Sequence, residues 1–239
     1  MEIAGKAMLV TGANRGLGRA VVAEALRRGA RRVYAGTRRP LAHPDARVLP
    51  ITFDVTKAAE IQAAVEQVDS LDILVNNAGL ALVDELADRA TLERHLAVNF
   101  FGPYGVTQAF LPLLVRSRGA LVNVLSVAAL APLPVIAGYS ISKAAALSLT
   151  QSLRPLLAGR GVSVHAVLAG PIDTDMTRDF NVPKTSPESV ARGILDGLER
   201  GDEDIFPDPM SESLAEGWRQ GPAKYLERRY AAFVQPVTT

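Results

Sequence analysis

Tyr139 and Lys143 lie four residues apart in Tyr139-Ser140-Ile141-Ser142-Lys143, and Ser126 stands thirteen positions upstream at the end of an apolar run. On a helix, residues four apart share a face, so the phenol and the ammonium can occupy one small space. A phenol titrates near 10, and bringing it to about 7 requires stabilising the phenolate by about 4 kcal/mol, which a fixed neighbouring cation does. A tyrosine tuned in this way exchanges a proton with a carbonyl or hydroxyl oxygen, the chemistry of a ketone or alcohol redox site. The same spacing also describes an exposed Tyr and Lys on a solvated helix edge, so the remaining sequence must decide.

A second chemical signal follows the first apolar run: Thr11-Gly12-Ala13-Asn14-Arg15-Gly16-Leu17-Gly18 leads directly into helical spacing. Glycines let the backbone turn tightly and approach a pyrophosphate, whose charge meets the free N–H groups and positive dipole of a helix N-terminus. The spacing is G-x-x-x-G-x-G, and its place between a strand and a helix is the context phosphate binding requires. The next strand-like run ends in Gly36-Thr37-Arg38-Arg39, without the acid that would accept from a ribose 2′-hydroxyl and repel a 2′-phosphate. Thr37, Arg38 and, within the glycine turn, Arg15 favour NADPH over NADH, since an arginine fork pairs with phosphate oxygens. Arginine is abundant in this chain, so the missing acid carries more of that reading than any one Arg.

These residues must be positioned by elements, and short apolar runs alternate with longer amphipathic stretches. The expected strands are 7–10, 32–35, 48–53, 73–75, 120–125, 162–167 and 204–206. Helical spacing runs over 17–28, 58–68, 92–115, 139–158 and 187–199, with a kink or break expected near Pro103 and Pro155. Ser186-Pro187-Glu188 reads as an N-cap, a first-turn proline and an acidic first turn. Such alternation predicts an α/β fold, a seven-stranded, mainly parallel sheet with helices on both faces. The 239 residues are read as one domain, with 173–186 as a substrate lid and 208–239 as a C-terminal extension.

Composition removes several classes of function. There is no cysteine, hence no disulfide, thiol nucleophile or sulfur-ligated zinc, and His43, His95 and His165 show no metal-type spacing. The histidines are expected to be ordinary surface or core residues. A net charge of +1 gives no polyanion-binding signal, so no nucleic acid is expected. No apolar run approaches a membrane span and no basic-then-apolar leader opens the chain, so no membrane association and a cytoplasmic location are expected.

With the glycine turn, Asp54, the run Asn76-Asn77-Ala78-Gly79 and the Tyr139/Lys143 pair in this order, the chain closely resembles the short-chain dehydrogenase/reductase family over roughly residues 5 to 207. The resemblance implies a doubly wound, Rossmann-type fold, a nicotinamide cofactor and hydride transfer at a carbonyl carbon. It makes Tyr139 the general acid and Ser126 the residue that polarises the carbonyl. Lys143 would hold the nicotinamide ribose hydroxyls, and Asn99 would hold a water linking Lys143 to solvent. Asn99 also reads as a helix-interior amide satisfying backbone groups. The implied cofactor contacts are Gly12, Asn14, Arg15, Gly16, Leu17, Gly18, Thr37, Arg38, Asp54, Val55, Asn77, Ala78, Gly79, Tyr139, Lys143, Ile172 and Thr174. Ala169-Gly170-Pro171 departs from the family's Pro-Gly at this turn, and Leu125 stands where a second serine is common.

Around the expected carbonyl position the chain offers Leu80, Leu82, Ala128, Leu130, Leu133, Ile136, Met176 and Phe180, an apolar set that suits a small ketone or aldehyde. The substrate pocket is read as Leu82, Ala128, Leu133, Ile136, Met176 and Phe180. The function so read is NADPH-dependent reduction of a small apolar carbonyl compound, reversible to the alcohol. A carrier-tethered 3-oxoacyl reductase is a second reading, docking its acidic carrier through Arg116, Arg118, Arg154 and Arg160. A non-catalytic NADPH-binding regulator is a third. By resemblance, the two long helices would assemble a homodimer or homotetramer.

Overall fold

Successive side chains of strand β1 (Ala7–Thr11) point to opposite faces, and both sets are apolar. Met8 and Val10 join one buried cluster with Val21, Ala25, Ile194 and Leu198, whereas Ala7 and Leu9 join another with Ile61, Phe110 and Leu153. A strand apolar on both faces needs a cover on each. In this computed structural model, which describes residues 1–84 and 86–233, one cover is α1 (Gly16–Arg27) with α6 (Pro187–Arg200). The other is α2 (Ala58–Val65), α4 (Gly102–Ser117) and α5 (Ala137–Ala158).

The remaining strands are β2 (Arg32–Thr37), β3 (Val48–Thr52), β4 (Ile73–Asn76), β5 (Ala120–Val124), β6 (Ser163–Val167) and β7 (Asp204–Ile205). They form a seven-stranded sheet in the order β3-β2-β1-β4-β5-β6-β7, with every pairing parallel. All seven expected strands form. Chain direction across the sheet reverses between β1 and β4, and in such sheets the crevice beyond the strand C-termini at that point takes the ligand. Among the described residues no helix is long and apolar enough to cross a membrane.

The expected helix over 92–115 is interrupted. It is α3 (Arg89–Leu96), a π-helical turn Ala97–Phe101, then α4. Pro103 has no N–H to give the Asn99 carbonyl, so the α pattern cannot continue there and the winding loosens. At Pro155 the outcome differs, because α5 runs on to Ala158 before ending. Pro112 is likewise absorbed within α4. Ser186 caps α6, accepting from the Ser189 N–H at 3.3 Å, with Pro187 in the first turn.

Beyond β7 the extension forms α7 (Pro209–Glu212), α8 (Ala215–Gln220) and α9 (Pro222–Ala231); its last six residues lie outside the described ones. A buried ion network ties it to α5. Arg154 donates to Asp204 at 2.5 Å and pairs with Glu227, while Lys224 reaches Asp204 at 2.8 Å and Glu227 at 3.2 Å. The Trp218 indole N–H also donates to Asp204, at 2.8 Å.

Candidate active site

The strand C-termini open into a cleft of about 1000 Å³. Its floor is the glycine turn. Gly12 and Gly16 have φ of +68° and +51°, a region L side chains rarely adopt. A Cβ on Gly18 would lie 2.2 Å from the Gly12 carbonyl oxygen, so only a hydrogen lets α1 begin against the turn. The first turn of α1 thus presents its unpaired N–H groups to a bare, close-approach surface that fits a pyrophosphate.

Asn77 stitches β1 to β4 here: its amide donates to the Thr11 carbonyl at 2.8 Å, while Thr11 Oγ1 accepts from the Asn77 and Ala78 N–H groups at 2.9 and 3.0 Å. Thr37, Arg38 and Arg39 line the cleft after β2, and Asp54 and Val55 line it after β3. All seventeen cofactor residues anticipated above contribute to its wall.

At the other end, β5 delivers Ser126 and α5 delivers Tyr139 and Lys143, all three on the wall. Lys143 is 5 % exposed and donates to the Val124 carbonyl at 2.8 Å, with its Nζ 5.6 Å from the centre of the Tyr139 ring. Burial among apolar groups brings Lys143 down from 10.5 to about 8. Burial also pushes the Tyr139 phenol up, partly offset by the Ser126 hydroxyl. In the cleft as it stands Tyr139 is therefore a phenol with a proton to give, rather than a preformed phenolate.

Asn99 lies behind this wall, buried in the π-helical turn. Its amide donates to the Leu80 carbonyl and to Ser142 Oγ, and its oxygen accepts from the Leu80 N–H. Of the anticipated substrate pocket, Met176 lines the cleft, joined by Leu80 and Leu125, whereas Leu82, Ala128, Leu133, Ile136 and Phe180 stand outside that wall.

The turn after β6 shows how the family's usual Pro-Gly is replaced. The Gly170 N–H donates to Asp208 at 2.8 Å, and Asp208 is itself buried at the start of α7. A Cβ at Gly170 would meet Asp208 Oδ1 at 2.7 Å. The turn is therefore braced by a carboxylate from the C-terminal extension, which nothing in the local sequence signals. Ile172 and Thr174 follow on the cleft wall, with the Thr174 methyl 3.1 Å from where a Gly16 Cβ would be. Thr174 thereby rests on the glycine turn. Arg15 reaches across to Asp175 at 2.7 Å, and Arg178 pairs with the same carboxylate.

The short chain dehydrogenase family matches residues 6–184, three quarters of the sequence and every element that builds the cleft. The chain belongs to that family. Among its relatives, the 2-(S)-hydroxypropyl-CoM dehydrogenase 3 of Xanthobacter autotrophicus is 37% identical over 201 residues, covering 77% of this chain and 79% of that one. A 3-oxoacyl-(acyl-carrier-protein) reductase of Aquifex aeolicus is 35% identical over 194 residues, covering 74% and 78%. A short chain dehydrogenase from Burkholderia cenocepacia, solved in complex with NADP, superposes with a TM-score of 0.88 at 36% identity, covering 100% of both chains. The doubly wound sheet is thus that of a short-chain dehydrogenase, and the chain is an oxidoreductase of this type.

Proposed function

We propose that this short-chain dehydrogenase is an NADPH-dependent carbonyl reductase, reversibly interconverting a small, mainly apolar ketone or aldehyde and its alcohol. The observation that carries the reading is a half-buried Tyr139, still protonated, facing the cleft between Ser126 and Lys143. When bound, the nicotinamide supplies the hydride. Ser126 donates to the carbonyl oxygen and fixes its direction, and Tyr139 gives that oxygen its proton. Lys143, held by the Val124 carbonyl, would present its remaining N–H groups to the ribose hydroxyls and, while charged, favour the phenolate left behind. Asn99 has its amide committed to Leu80 and Ser142, so a water linking Lys143 to solvent would use its main-chain carbonyl or the second lone pair of Oδ1.

The cofactor preference rests on Thr37 and Arg38 in place of an acid after β2, on Arg15 across the cleft, and on the NADP complex of the Burkholderia relative. Leu80, Leu125 and Met176 support an apolar substrate. Residues 173–186 would act as the lid, and the full chain as one domain. Tyr104 on α4 and Ile141 and Leu156 on α5 leave apolar surface exposed, which supports assembly into a dimer or tetramer through these helices.

The carrier-docking alternative has less to rest on. Arg154 is held by Asp204 and Glu227 rather than presented to a partner. Arg116 lies in the last turn of α4, and Arg118 and Arg160 on the loops entering β5 and β6, at the strand N-termini, opposite the cleft. The deciding assay follows NADPH consumption with simple ketones, aldehydes, cyclic ketones and 3-oxoacyl thioesters, then repeats the productive substrate with NADH before and after Arg38→Asp. Turnover confined to 3-oxoacyl thioesters, or no turnover at all, would overturn the reading.

A further inference from the structure

The run after β4 is laced at alternate residues. Leu80, on the cleft wall, exchanges both main-chain hydrogen bonds with Asn99. Two residues on, the Leu82 N–H donates to His95 Nε2 at 3.0 Å. Two further on, Asp84 accepts the Gly138 N–H on both carboxylate oxygens at 3.1 Å, supplying from a distance the side-chain cap that α5 lacks at Ile136. His95 and Asn99 are four residues apart on the same helical stretch. The lace therefore runs from the cleft wall, along one face of that stretch, to the residue before Tyr139.

His95 is its middle rung. It is completely buried, and its ring stands edge-on to Tyr139 at 6.5 Å. Because Nε2 accepts, the neutral ring carries its proton on Nδ1, which faces the Thr91 carbonyl without a well-formed hydrogen bond and lies 3.8 Å from Asp84. Gly138 completes the packing, since a Cβ there would lie 2.9 Å from both Asp84 Oδ2 and His95 Nδ1.

We propose that His95 is a positioning residue for the reaction: its unprotonated Nε2 holds the run Leu80 to Asp84 so that the cleft wall and Tyr139 keep a fixed spacing, and protonation releases that hold. An imidazolium has two donors and no acceptor, so it cannot take the Leu82 N–H. Burial opposes protonation, helped by the charge of Arg94 on its own helix and resisted by Asp84 and the Thr91 carbonyl. From α5 the facing groups are Tyr139 and, beyond it, Lys143. The release therefore falls below the ordinary histidine range.

The proposal rests on the carbonyl-reductase reading, and two variants with three readouts separate the two. His95→Gln offers an amide oxygen to Leu82 and does not titrate. It should keep at least about a third of kcat at neutral pH and lose the acid limb that the release of Leu82 gives the parent below the ordinary histidine range. His95→Leu should lower kcat about tenfold or more at neutral pH, where the parent's hold is intact, with NADPH binding, titrated by fluorescence, within about twofold of the parent. Amide exchange over residues 79–84 should quicken in His95→Leu and not in His95→Gln, a readout that needs no turnover. An acid limb unchanged in His95→Gln, or His95→Leu retaining parental kcat and exchange, would overturn the proposal. Should His95→Leu not fold, the pH profile of His95→Gln decides alone. A parent that reduces no carbonyl compound fails the earlier reading, while the exchange experiment still decides the lace.

Discussion

Arg15 of the glycine turn and Asp175 of the segment after β6 are held 2.7 Å apart across the mouth of the cleft, so the cation anticipated for a 2′-phosphate already has an anionic partner. Asp175→Asn should free Arg15 and tighten NADPH binding about two- to threefold, leaving NADH unchanged, because an exposed pair is worth little. Fluorescence titration at low and high salt checks this, since the gain should shrink with ionic strength. Equal tightening of both cofactors would place Arg15 on the pyrophosphate.

Tyr139→Phe removes the proton donor and no contact that shapes the glycine turn. Its kcat should fall by about 10² or more with NADPH affinity nearly intact. A variant keeping most of its turnover would exclude Tyr139 as the acid.

Lys143 is held in the fold at a cost. Being brought from 10.5 to about 8 by burial corresponds to about 3 kcal/mol that its charge takes from stability below pH 8, a deficit that fades as pH rises toward 10.5. Lys143→Met should therefore raise the melting temperature by several degrees at pH 7 while abolishing turnover. Calorimetry and a rate assay on the same sample would test this, and a lower melting temperature would contradict it.

The same residue sets an alkaline limit. Burial keeps Tyr139 protonated through neutrality, so kcat/KM for reduction should stay level there and decline above about pH 8 as Lys143 loses its charge. Lys143→Arg, if active, should carry no decline near pH 8, because guanidinium stays protonated. An identical limb in both proteins would assign it elsewhere.

Arg154→Ala should destabilise the protein by about 3–5 kcal/mol, leaving Asp204 and Glu227 in the buried network without their arginine. Burial works against the Asp204 charge, but Arg154, Lys224 and Trp218 together hold it below the ordinary carboxylate range. The stability it contributes is present above that range and disappears as pH falls through the lowered value. Acid unfolding of Arg154→Ala, followed by circular dichroism, should begin at a higher pH than in the parent.

What was legible in the sequence was local. A short continuous apolar run marks β1 because a strand covered on both faces needs apolar side chains on both, and the glycines of residues 12–18 mark a tight turn because only glycine tolerates it. Tyr139 and Lys143 were readable because a helix converts four residues of spacing into proximity. His95 was read as ordinary surface or core, and its partner is a main-chain N–H thirteen residues away that no residue type announces. Only the carrier-tethered alternative gives Arg154 a docking role, and its true partners were hidden for the same reason: Asp204 and Glu227 arrive from fifty or more residues later. The π-helical turn at Asn99 follows from Pro103 in retrospect, but the sequence alone does not separate a widened turn there from the uninterrupted α winding that Pro155 permits.

Asp208 lies outside the region that matches the family, which ends at residue 184, yet its carboxylate fixes the turn at Gly170. The reach of the family match is thus not the limit of what shapes the cleft. A chimera joining residues 1–184 of this chain to the tail of a relative would give Gly170 a foreign brace, making the C-terminal tail a place where catalytic behaviour can diverge while every recognisable motif stays the same.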